Sequence, residues 1–155
     1  MTNQPENQNV IDALIHAYEM ELETVQNYIA NATNLVGLRA EEIKKSLETD
    51  ITEELNHAQR IAKRIHVIGG TVPGSLSLKR SQKSLQPPSN PADIVTVIQG
   101  VIEAEQQAID HYKHTIKLAS QANDPVTEDL IIQLLGDEEE HRREFLSFLT
   151  EFNNQ

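Results

Sequence analysis

Four pairs of residues in this chain match at a single offset of 84 positions: Glu21 with Glu105, Tyr28 with Tyr112, Glu54 with Glu138 and His57 with His141. Each half therefore reads Glu, then Tyr seven residues on, then Glu-x-x-His beginning 33 residues after the first Glu. One Glu-x-x-His is weak evidence, because a chain this rich in Glu and with 6 His supplies about one by chance. Two in register, each with a partnered Glu and Tyr, require a fold built twice that brings equivalent polar residues to equivalent places.

The runs carrying these residues are helical. Val10, Leu14, Ala17, Val25, Tyr28 and Leu35 recur at three- and four-residue steps, the period of an amphipathic helix. After Gly37 a second run passes through Ile43, Leu47, Ile51, Ala58, Ile61, Ile65 and Ile68 and stops at Gly69–Gly70. Asn90-Pro91-Ala92-Asp93 combines an N-cap, a proline at the first helical position and an acid at the third, ahead of a run through Ile94, Ile98, Val101, Ile109, Tyr112 and Ile116. Asp124-Pro125 repeats that signal for a fourth helix through Leu130, Leu134, Leu135, Phe145 and Leu149. The expected fold is all-α, a four-helix bundle over residues 10–152 preceded by a flexible tail at residues 1–9.

Only a few residues join the first helix to the second and the third to the fourth, so each pair is antiparallel. Residues 69–91 hold four of the six prolines together with Ser75, Ser77, Ser81, Ser84 and Ser89, and form a crossover rather than a helix. Extended, this segment reaches on the order of 70 Å, more than the roughly 45 Å of a 30-residue helix. The second and third helices therefore run parallel.

Helical facing separates inward carboxylates from ordinary ones. Glu21 has Leu14, Ala17, Val25 and Tyr28 at neighbouring helical positions and points inward, whereas Glu23 neighbours Glu19, Gln26 and Asn27. The same test selects Glu54 over Glu53 and Glu105 over Glu103, and places Glu138 among Ile131, Leu134, Leu135 and Phe145. Four buried carboxylates cost several kcal/mol each unless compensated, and no lysine or arginine lies on these stripes. Two divalent cations would neutralise them. Carboxylates with two imidazoles suit iron or manganese, with zinc chemically admissible. The acids preceding the Glu-x-x-His glutamates, Glu53 and Asp137, are placed to accept the second ring N–H of the histidine on the opposite helix. Tyr28 and Tyr112 are placed to hydrogen-bond ligand carboxylates. His16, His66, His111 and His114 fall outside the repeat and read as surface or structural residues.

Composition removes other classes. Cysteine is absent, which excludes disulfides, thiolate metal sites and a cysteine nucleophile. The formal charge of −11 and the lack of any basic patch larger than Lys79–Lys83 argue against nucleic acid as a direct partner. No apolar run approaches the ~20 residues of a membrane helix, and the polar start shows no secretory signal, so a cytoplasmic, membrane-free protein is expected.

Together, Glu21 through Tyr28, Glu54-Leu55-Asn56-His57 leading into Ile68-Gly69-Gly70, and Asp137-Glu138-Glu139-Glu140-His141 resemble the ferritin-like di-iron carboxylate superfamily. The resemblance covers residues 10–152 and is strongest toward bacterioferritin-like and Dps-like proteins. It implies that Glu21 and Glu105 are terminal ligands, that Glu54 and Glu138 bridge two iron ions per chain, and that His57 and His141 each complete one metal. Bacterioferritins hold haem through a methionine where this chain has Leu55, so haem is not expected. With 14 residues after His141, too few for the short fifth helix of 24-subunit cages, a 12-subunit homo-oligomeric shell is favoured over a 24-subunit cage or a dimer. The implied function is ferroxidase-type oxidation of Fe(II) by O2 or H2O2 with storage or release of the product. The alternatives are peroxidase or catalase-like removal of peroxide at the same metals, and a structural assembly module.

Overall fold

The computed structural model describes residues 5–154 as four long helices: α1 (Pro5–Asn34), α2 (Glu41–Val67), α3 (Ile94–Gln121) and α4 (Pro125–Asn153). No strand occurs among the described residues, and no helix is long and apolar enough to cross a membrane. Helix α1 packs against α2 and α3, and α4 against α3 and α2. Leu35 just past α1, Ile43 and Leu47 of α2, Ile94 and Ile98 of α3 and Phe145 of α4 share one core cluster, so α2 and α3 both begin at the end of the bundle where α1 and α4 finish. They are parallel, as the crossover requires.

Two helix boundaries differ from the sequence expectation. Helix α1 begins at Pro5, where residues 5–9 of the expected tail are helical; the remainder of that tail, residues 1–4, lies outside the described residues. Apolar periodicity starts only at Val10, but Pro5 and Glu6 are favourable in a first turn, and Asn7 Nδ2 donates to the Ile68 carbonyl at 3.2 Å. Helix α3 starts at Ile94 and not at Pro91, because Asp93 is the cap and accepts from Thr96 N at 3.1 Å. Asn90 instead closes a local turn onto Ala92 N, and the Pro91 carbonyl receives Val36 N from the α1–α2 connection.

The other ends follow the sequence closely. Helix α2 stops in a Schellman arrangement: Gly69 adopts φ 90°, its N–H reaches the His66 carbonyl, and Gly70 N reaches the Ile65 carbonyl. Helix α3 ends the same way with Asn123 in the left-handed region, φ 53°, and Asp124 N bonded to the Ala119 carbonyl. Asp124 then caps α4 through Thr127 N and takes Arg64 Nη2 of α2 at 2.7 Å, tying three helix ends together.

The crossover is pinned along α1. Glu19 accepts from Lys79 N, Glu23 from Ser81 N and Gln82 N, Asn27 donates to Gln82, and Asn31 to the Leu85 carbonyl, while Leu85 itself is buried. Gly100 lets this strap lie on α3: a Cβ there would stand 2.5 Å from the Ser84 carbonyl oxygen. One apolar cluster fills the end of the bundle around Leu35, Leu47, Ile98 and Phe145, the other the opposite end around Leu14, Ile61, Ile65 and Leu134. Each such aliphatic side chain contributes about 1.5–3 kcal/mol when fully buried, so the two ends offset a polar midsection.

Candidate metal centre

That midsection holds the six glutamates and histidines of the repeat. Glu21, Glu54, Glu105 and Glu138 are each at most 2% exposed, and His57 and His141 are buried with them. Each lies near the middle of its helix, away from the free backbone groups of helix ends. The centre is therefore made by side chains alone.

The donor atoms form two overlapping sets. Glu21, Glu54, His57 and Glu138 offer ligand atoms that lie within 4.8 Å of one another, as do Glu54, Glu105, Glu138 and His141. Glu54 and Glu138 belong to both. His57 Nδ1 lies 2.8 Å from Glu138 Oε1 and 3.7 Å from both Glu21 Oε2 and Glu54 Oε2. On the symmetric side His141 Nδ1 lies 2.9 Å from Glu54 Oε1 and 3.7 Å from Glu138 Oε2. The two imidazoles are nearly parallel, 6.4 Å between centroids.

Short as they are, these approaches are not hydrogen bonds. Glu21 Oε2, Glu54 Oε1, Glu105 Oε2, Glu138 Oε1 and both Nδ1 atoms are buried without a hydrogen-bond partner. Leaving a buried polar atom unpaired costs about 1–3 kcal/mol, more for charged groups, and six at one place point to an external partner. Oxygen and imidazole nitrogen donors fit two hard or borderline divalent cations.

The outer contacts are as regular as the inner ones. His57 Nε2 donates to Asp137 at 2.9 Å and His141 Nε2 to Glu53 at 2.5 Å, each across the α2–α4 seam, which turns both Nδ1 atoms toward the centre. Tyr28 donates to Glu105 and Tyr112 to Glu21, so each tyrosine holds the carboxylate contributed by the other half of the repeat. Burial, reinforced by Glu54 and Glu138, raises the Glu21 and Glu105 carboxyls well above the usual range. Burial pushes Glu54 and Glu138 the same way, but contacts with Glu21 or Glu105 and with both histidines outweigh it and hold them low. Burial disfavours charge on the imidazoles, yet the surrounding carboxylates win and raise both.

Other residues also find their places. Glu53 and Asp137 are about half exposed despite their histidine contacts, and Glu103 is exposed. Glu19 and Glu23, set outside the cage by helical facing, anchor the crossover, a role the helical pattern alone does not signal. Leu55, 42% exposed, offers no donor atom.

One buried acid near the cage lies outside the repeat because it has no counterpart there. Asp50 is 4% exposed, its Oδ2 has no partner, and its Oδ1 lies 3.7 Å from His141 Nε2. Burial raises its carboxyl to about 7. Its repeat partner is the apolar Leu134, so the acidic cleft of about 200 Å³ lined by Glu42, Ser46, Asp50 and Glu144 opens beside His141 and breaks the symmetry. Asp50 has Ser46, Leu47, Glu53 and Glu54 at its neighbouring helical positions, only one of them apolar, so the facing test that chose Glu54 passes over it.

Comparison with known proteins bears on the whole chain. A family model described as a ferritin-like domain matches residues 11–154. A DNA protection during starvation protein of Pyrococcus furiosus is 28% identical over 145 residues, covering 92% of this chain and 78% of that protein. A bacterial ferritin of Neisseria meningitidis serogroup B is 26% identical over 140 residues, covering 90% of this chain and 85% of its own. Among solved structures, a ferritin-like diiron-carboxylate protein from Bacillus anthracis superposes with a TM-score of 0.83 at 20% identity, covering 94% of this chain and 99% of that one. Desulfovibrio desulfuricans bacterioferritin, described with a diiron site, also gives 0.83 at 20% identity, covering 96% and 82%.

Proposed function

The chain belongs to the ferritin-like family, and from that premise we propose that it is a ferroxidase that binds two Fe(II) ions as substrate in the Glu21, Glu54, His57, Glu105, Glu138, His141 cage. The observation that carries this reading is the set of six buried, unpartnered donor atoms turned toward one centre. Names of relatives support it: they include bacterial ferritins and a diiron-carboxylate protein.

Bound iron supplies the electrons: two Fe(II) with O2 and two protons give two Fe(III) and H2O2, or with H2O2 and two protons give two Fe(III) and two waters. The residues of the chain do the positioning. Glu54 and Glu138, common to both donor sets, would hold both irons. Glu21 and Glu105 are terminal, each held by a tyrosine hydroxyl, and His57 and His141 complete one site each. Glu53 and Asp137 fix the imidazole orientation and raise its basicity. Glu42, Asp50 and Glu144 supply negative potential beside His141, where cations approach. The bundle works within a homo-oligomer, with a 12-subunit shell as the form to look for. Exposed apolar side chains such as Val36, Leu38, Val67 and Leu76 are surface such an assembly would cover.

Anaerobic Fe(II) titration followed by rapid mixing with air or peroxide tests the reading. Two Fe(II) per chain should bind, and a near-ultraviolet ferric band should appear on mixing. Glu54→Ala should abolish the fast phase. Oxidation kinetics unchanged in that variant would refute it, and peroxide turnover without retained iron would move the chain to the peroxidases.

A further inference from the structure

Outside the cage, α1 and α3 meet over a second group of ligand-type side chains. His16 and His111 stack edge to face with ring centroids 4.5 Å apart, and His114, one turn along α3 from His111, lies 6.4 Å from it. His111 Nε2 is 2.8 Å from the Ala13 carbonyl oxygen. A carbonyl only accepts, so Nε2 carries the proton and Nδ1 of the neutral ring carries the lone pair. Metal-binding histidines are commonly oriented in this way, with one nitrogen committed to a backbone carbonyl and the other free to ligate. Burial holds the imidazole neutral by lowering it to about 4.

The neighbours are consistent with a binding site. His16, His111, His114 and Asp12 line a cleft of about 290 Å³, and His16 and His111 also border a second cleft with Met20. His16 and His114 are exposed, and holding one ion would require them to turn toward His111. The repeat does not call for histidines here. At the 84-residue offset, His16 corresponds to Gly100 and His111 to Asn27, the positions where the crossover lies against the bundle.

We propose that His16, His111 and His114 form a second, mononuclear metal site on the α1–α3 face, selective for a late first-row divalent cation, Cu(II) or Zn(II). The donor set explains the selectivity. Three imidazoles suit copper and zinc, whereas the carboxylate-rich cage suits iron and manganese. The two sites therefore separate metals by ligand type within one chain.

Cu(II) is the probe, added below one equivalent to the full-length protein and read by electron paramagnetic resonance. Each cage metal has one histidine, so copper in the cage shows one coupled nitrogen. Copper at the trio shows two or three. The expected spectrum has several nitrogens, and it disappears in His16→Ala/His114→Ala, which alters exposed residues only and leaves thermal melting and Fe(II) stoichiometry unchanged. Cu(II) affinity should fall in that variant by more than the roughly 100-fold that loss of a ligand's outer partner costs. A single-nitrogen spectrum in the wild type, or an unchanged spectrum and affinity in the double variant, would overturn the assignment, and neither result touches the ferroxidase reading.

Discussion

Each cage histidine is committed at its outer nitrogen, Nε2, by an acid about half exposed to solvent, while its Nδ1 faces the centre unpartnered. Such an acid does little for stability on its own, since exposed ion pairs contribute about 0–1 kcal/mol. Its effect is on the direction of the lone pair. Asp137→Ala should therefore leave the melting temperature nearly unchanged and weaken iron binding at the His57 half by roughly 10–100-fold, measured by anaerobic titration. Equal affinity at both halves would show that the contact is incidental. The carboxylates behave oppositely, because crowding four of them in the core opposes folding when no cation is present. Glu21→Gln keeps an acceptor for Tyr112 and removes an ionisable group, so the metal-free protein should melt higher while iron affinity drops. A lower melting temperature would contradict the view that the cage is a cost to the fold.

At the scale of helices, stability is set where ends meet. Burial raises the Asp124 carboxyl, but hydrogen bonds from Thr127 and the charge of Arg64 outweigh it and hold it below the usual range. A depressed folded-state value gives stability that is fully present above the unfolded value of about 3.9 and is lost as pH falls through the folded one. Asp124→Asn should thus flatten the acid limb of the unfolding free energy between pH 5 and 2, with about 1 kcal/mol or less lost at pH 7 because asparagine still caps. An acid limb identical to the wild type would remove Asp124 from the account. The crossover offers a steric test. Gly100→Ala sets a methyl against the Ser84 carbonyl and Leu85 Cα, both backbone atoms, so the strap must lift. A loss of about 1–3 kcal/mol is expected by chemical denaturation, and an unchanged midpoint would mean that the strap does not rest on α3.

Over the whole molecule, the sequence is legible wherever periodicity and the repeat agree. The antiparallel pairs and the parallel α2 and α3 follow from the lengths of the connections, and the inward facing of Glu21, Glu54, Glu105 and Glu138 and the reach of Glu53 and Asp137 across the α2–α4 seam follow from 3.6-residue spacing applied twice. Features without that regularity were harder to read. The start of α1 is polar, so periodicity passes over residues 5–9. Asn90 and Asp93 are both plausible caps, and only the tertiary use of the Pro91 carbonyl decides between them. Asp50 breaks the repeat, and Glu19 and Glu23 hold a loop whose path no local pattern encodes. Gly100 reads as an ordinary helix-weakening residue until the strap is seen lying on it.

The central claim is that two metals sit between the same two glutamates. Crystals soaked anaerobically with Fe(II) and measured across the iron absorption edge test it directly. The account predicts two anomalous peaks per chain, both within coordination distance of Glu54 and Glu138, one beside His57 Nδ1 and the other beside His141 Nδ1. A single peak, or iron found only at the acidic cleft around Asp50, would contradict it.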